Sequence, residues 1–103
     1  MTEQLLEKKV AQQSVLIVTE DKELYGLLGV TLGRSSFVKI YHAITGEAGI
    51  EKAARVKPNY ILMDINLHGL SGIDAARLIR KFLPDCKIIL LSQYQCDSCP
   101  LGL

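Results

Sequence analysis

The chain has 103 residues, 49% of them hydrophobic, with 12 basic and 11 acidic side chains and a formal net charge of +1. That is one small domain with material for a real core, but a chain of this size buries only about 60–65% of its unfolded surface, so its stability margin is thin. The balanced charge and 6% aromatic content offer neither a basic patch nor a stacking surface for direct nucleic-acid binding, and no run of 18 apolar residues reads as a membrane span.

Residues 2–12 read as a short helix with Leu5, Leu6 and Val10 as its apolar positions, an N-terminal helical extension over 1–12. Val15-Leu16-Ile17-Val18 is an apolar run without alternation, the pattern of a strand covered on both faces. Thr19-Glu20-Asp21 ends it, and a helix follows with Leu24, Leu27, Leu28 and Leu32 at helical spacing. A second strand spans 37–43. Thr45 can cap the next helix, which carries Glu47 in its first turn and a predicted buried stripe of Ile50, Ala53 and Ala54. Lys57-Pro58-Asn59 stops that helix. Residues 60–63 form a third strand ending at Asp64. Ser71 with Asp74 matches a capping box, opening a helix to about Phe82 with Ile73, Ala76, Ile79 and Leu83 expected towards the core. Pro84-Asp85 breaks it, and 88–91 is the fourth strand. The remainder, 93–103, reads as an irregular tail.

Strand and helix thus alternate across 13–92, and crossovers of this length give parallel strands with helices on both faces: an α/β, doubly wound sheet. In such a sheet ligands bind beyond the carboxyl ends of the strands. Three strand ends there are polar: Thr19-Glu20-Asp21, Asp64 and Ser92. Carboxylates gathered at one edge repel one another, and Mg²⁺ relieves this while keeping open positions for phosphoryl oxygens. A carboxylate so placed can act as a nucleophile on phosphorus, and the Ser92 hydroxyl can bond a phosphoryl oxygen. The bland alternative is that acids at strand ends simply cap the helices that follow.

The segments VLIVTED, YILMDINLHGLSG and IILLS, in that order and spacing, resemble the receiver domains of bacterial two-component response regulators, over roughly 14–92. The likeness is strongest to receivers joined to a helix-turn-helix output domain. It implies a flavodoxin-like fold with strand order 2-1-3-4 for the strands present, with Asp64 as phosphoacceptor. By the same resemblance Glu20 is the metal-binding acid, Asn66 lends Mg²⁺ a backbone carbonyl, and Ser92 is the switch hydroxyl. Asp21 is a further metal candidate. The implied partner is a sensor histidine kinase or a small acyl phosphate, and the implied setting is the cytoplasm. That compartment also suits the odd set Cys86, Cys96 and Cys99 and an N-terminus without a signal-peptide core. No enzyme acting on an outside substrate is implied, only self-phosphotransfer and autodephosphorylation.

The departures carry expectations of their own. Thr19 stands where the family usually opens its acidic pocket with Asp, which weakens Mg²⁺ binding. His68 stands for the family's Pro and reads as a plain loop substitution. The family's later helix, fifth strand with Lys-Pro and last helix have no match after Ser92, so the receiver reads as shortened at its C-terminal end, and Lys87 lies at the wrong end of its strand to replace the missing lysine. The fourth strand then becomes an apolar edge, which either the tail 93–103 covers or two chains share by pairing or exchanging elements, a homo-oligomer. The rival readings are a degenerate receiver serving as a phosphorylation-independent dimerisation or docking module, a non-functional fragment, and a thiol or zinc protein built on Cys96-Asp97-Ser98-Cys99.

Overall fold

The computed structural model describes residues 12–92. The expectations for an N-terminal helix and for the Cys96–Cys99 tail lie outside the described residues. The elements run β1 (Gln13–Val18), α1 (Lys22–Leu32), β2 (Val38–Ala43), α2 (Gly46–Val56), β3 (Tyr60–Asp64), α3 (Gly72–Phe82) and β4 (Lys87–Leu91). They form a four-stranded sheet in the order β2-β1-β3-β4, with every pair parallel. This is the predicted order. Its register brings Val18 level with Ala43 and Met63, and Asp64 level with Leu91, so all four carboxyl ends finish along one edge.

Each helix begins on a side chain that satisfies the first free backbone N–H groups. Asp21 accepts from Glu23 and Leu24, Thr45 from Ala48, and Ser71 from Asp74. Lys57 ends α2 in the left-handed region at φ 47°, before the buried Pro58. The core lies on the face covered by α2 and α3, where Leu16, Val18, Ile61 and Met63 meet Ala53, Ala75 and Ile79. Alternation along β1 sends Val15 and Ile17 to the other face, where Leu32 of α1 shares a groove with Val15, Leu62 and Ile89.

The helix stripes match the expected ones in part: Ala53 and Ile79 are in the core, with Ile50 and Leu83 packed against it. On α2 the buried set is Gly46, Gly49 and Ala53, and Ala54 is exposed. On α3 it is Gly72, Ala75 and Ile79, and Ile73 is exposed. Both helices approach the sheet through small residues: a Cβ on Gly49 would stand 3.0 Å from a Val18 methyl. Ile73 and Leu78 lie exposed beside that contact, while Ile79 is fully buried in it. On α1 no residue is fully buried, and Leu27 is exposed. No helix among the described residues is long and apolar enough to cross a membrane.

Candidate functional site

The carboxyl edge is built around Asp64, the last residue of β3 and only 2% exposed. The fully buried Thr19 follows β1 directly alongside it. Its N–H continues the β1–β2 ladder to the Ala43 carbonyl at 3.0 Å. Its hydroxyl oxygen accepts from the Asp21 N–H at 3.1 Å and lies 3.2 Å from Asp64 Oδ2. A hydroxyl has one proton to give. With an amide already pointing at its oxygen, that proton goes to the carboxylate. Asp64 Oδ1 accepts from the Asn66 N–H at 3.0 Å. Each oxygen of this buried acid therefore has a donor, as burial of a charged group requires.

The loop after β3 is tied down on both sides. Ile65 N–H donates to the Leu91 carbonyl at 3.0 Å, and Gly72 N–H donates to the Ile65 carbonyl at 3.2 Å. Gly72 is needed here, because a Cβ at this position would come within 2.2 Å of the Asp64 carbonyl oxygen. The start of α3 is thus packed directly against the backbone of the acid.

Glu20 reaches across to the same loop. Its Oε1 lies 2.5 Å from His68 Nδ1, and its Oε2 accepts from the His68 backbone N–H at 3.4 Å. The hydrogen bond from the His68 side chain holds the Glu20 carboxyl below the usual carboxylate range, against a smaller opposing effect of desolvation. The same hydrogen bond, helped by the negative charge, raises the His68 imidazole above its ordinary value. Behind the site, His42 Nε2 lies 3.0 Å from the Thr19 carbonyl, with its ring stacked on Tyr25 at 3.7 Å between centroids. A carbonyl only accepts, so His42 carries its proton on Nε2.

Of the residues singled out in the sequence, Glu20, Asp64 and Asn66 meet at this edge, and Ser92 follows Leu91, which is level with Asp64. Asp21 turns into the start of α1 and caps it, so the capping reading holds for this acid. Lys87 pairs with Tyr60 at the far end of β4, as expected. The two contacts that sequence reasoning missed are His68 with Glu20 and His42 with Thr19.

The donors suit a hard, small cation. Among the described residues no group of three or more His, Cys, Asp or Glu side chains is placed to hold a metal. The residues at this edge that could offer oxygen to such a cation are Glu20, Asp64 and Asn66. Magnesium sites commonly use one or two carboxylates and leave the other positions to water and phosphate.

Residues 15–99 match the family model described as the response regulator receiver domain. The chain is 33% identical over 76 residues to the response regulator protein VraR of Staphylococcus saprophyticus, covering 67% of this chain and 36% of that protein. It is 28% identical over 100 residues to the transcriptional regulatory protein DegU of Brevibacillus brevis, covering 95% of this chain and 41% of that protein. This chain therefore spans well under half the length of these relatives. Among solved structures it is similar to the response regulator domain of Thermotoga maritima CheB. The TM-score is 0.74 at 29% identity, with 86% of this chain and 66% of that one covered.

Proposed function

The chain belongs to the receiver-domain family of response regulators, and on that premise we propose that Asp64 is the phosphoacceptor of a two-component signalling step. Receiver domains interact with sensor histidine kinases, and the donor here is a kinase phosphohistidine or a small acyl phosphate. An Asp64 carboxylate oxygen attacks phosphorus, the bond from phosphorus to the donor breaks, and the donor leaves with its electron pair. The observation that carries this reading is the buried Asp64 carboxylate at the end of β3, fixed from both sides by the Thr19 hydroxyl and the Asn66 N–H.

Glu20, Asp64 and the Asn66 carbonyl are the residues that would hold Mg²⁺, which when bound offsets the charge on the transferring phosphoryl group. Thr19 contributes a neutral donor where the family usually has a second acid, so this site carries less negative charge and binds the cation more weakly. Ser92 supplies a hydroxyl to a phosphoryl oxygen. The chemistry is confined to self-phosphotransfer and autodephosphorylation in a cytoplasmic module. The receiver unit covers 13–92 on this reading, within a family match that reaches residue 99. Association of two copies along β4 is part of the same proposal.

The test is direct. With acetyl phosphate and Mg²⁺ the protein gains an acid-labile phosphoryl mass, and Asp64→Asn abolishes the gain. A wild-type protein that stays unmodified in millimolar Mg²⁺ sinks the reading.

A further inference from the structure

The Glu20 side chain is held by one residue at both of its oxygens. His68 Nδ1 sits against Oε1 at 2.5 Å, and the His68 backbone N–H points at Oε2 from 3.4 Å. On the reading above, Glu20 is one of the two carboxylates, with Asp64, that would hold the cation. A carboxylate oxygen whose lone pair is directed at an N–H cannot direct that same lone pair at a cation. Both side chains reach solvent, His68 at 90% exposure and Glu20 at 36%, so the ring can swing away without disturbing the core.

We propose that His68 sets the divalent-cation affinity of this receiver by clasping Glu20, so that the clasp must open before Glu20 can serve as a ligand. The inference rests on the phosphoacceptor reading above and adds a determinant to its site. His68 is a positioning residue here: it acts on the cation through Glu20 and does not touch it. The sequence places a histidine where the clasp needs one, four residues beyond Asp64. The loop brings it back over the end of β1, with Gly69 at φ 76° making the turn immediately after. An exposed pair of this kind is weak, so the effect is modest and the clasp can open under millimolar Mg²⁺.

The experiment is a titration of the full chain with MgCl₂, followed through the backbone amide shifts of Thr19 and Asn66, so that the readout is metal binding and not phosphoryl transfer. His68→Ala is expected to bind Mg²⁺ about two- to five-fold more tightly than wild type. The same substitution made together with Glu20→Gln is expected to show no such gain over Glu20→Gln alone. Truncating so exposed a ring leaves the core untouched, so the comparison is between two folded proteins. Equal affinity in His68→Ala and wild type overturns the proposal. Weaker affinity also overturns it, since His68 would then be a ligand or a support of the loop. Absence of any Mg²⁺ response in both proteins overturns it too, and the acetyl phosphate mass measurement then shows whether the phosphoacceptor reading falls with it.

Discussion

Thr19 is a fully buried polar side chain whose hydroxyl is committed twice, to the Asp21 N–H and to Asp64 Oδ2. Valine has nearly the same shape and neither capacity. Thr19→Val therefore withdraws a donor from a buried carboxylate and an acceptor from a turn amide, and is expected to cost about 1–3 kcal/mol. Urea unfolding checks this: the midpoint falls with the slope unchanged, because only the folded site is altered. A loss well under 0.5 kcal/mol would mean that the hydroxyl is not bonded as described. The site was legible in the sequence to the extent that it depends on strand ends. Asp64, Glu20 and Ser92 each close or follow an apolar run, and parallel order gathers such residues at one edge. His68 and His42 were not legible. Their partners lie 48 and 23 residues away, and whether a loop side chain meets them depends on the path of that loop, for which neither periodicity nor motif spacing gives a signal.

At the scale of elements, the contact between α3 and β3 determines where Asp64 stands. Gly72 opens α3 with its Cα against the Asp64 carbonyl. An added methyl would lie 2.2 Å from that oxygen and 2.8 Å from the Ile65 Cα. Both neighbours are backbone and cannot rotate aside, so Gly72→Ala must push the helix start off the strand end. We expect a loss of about 1–3 kcal/mol from this overpacking. We also expect slower phosphoryl uptake on Asp64 per folded molecule, read by intact mass against time with acetyl phosphate. Unchanged uptake in a folded Gly72→Ala protein would show that the helix start does not position the acid. The element boundaries themselves were largely readable, because apolar runs, caps and breakers act locally. Thr45, Ser71 and Lys57-Pro58 start and stop helices where their chemistry predicts. The buried faces were read correctly at Ala53 and Ile79 and misjudged at Ile73 and Ala54. Ile73 looks like core by hydrophobicity, but α3 sits close to the strand end through Gly72 and Ala75, and close approach there favours the smallest side chains over the most apolar; Ala54 is as small as the buried Ala53 and is exposed because it lies one position further round the helix.

For the molecule as a whole, β4 is the outer strand of the sheet among the described residues, opposite β2. It is the sequence KIILL, with Ile89 48% exposed and Leu90 44% exposed. Alternation places these two on opposite faces, so both sides of the strand are apolar. Ile88 and Leu90 share a groove with Ile73 and Ala76 of α3, and Ile89 lines the groove beneath Leu32 of α1. An outer strand of this composition is a template for another strand, with backbone hydrogen bonds supplying affinity and the two grooves accepting side chains. On the proposal that two copies associate along β4, antiparallel pairing would make a closed two-fold dimer in which Ile89 and Leu90 lie against their counterparts. Lys87 then lies towards the rim on each side, and Arg77 and Arg80 of α3 line the groove beside Leu90. Light scattering after size exclusion is expected to give the mass of a dimer at tens of micromolar, and Ile89→Lys is expected to give that of a monomer. Because Ile89 is already half exposed, the substitution should change the unfolding free energy of the protomer by no more than about 0.5 kcal/mol. That separates loss of pairing from loss of fold. A monomeric wild type would leave the apolar strand needing cover from elsewhere and would remove the dimer from the proposal, while the Asp64 chemistry at the carboxyl edge would stand on its own test.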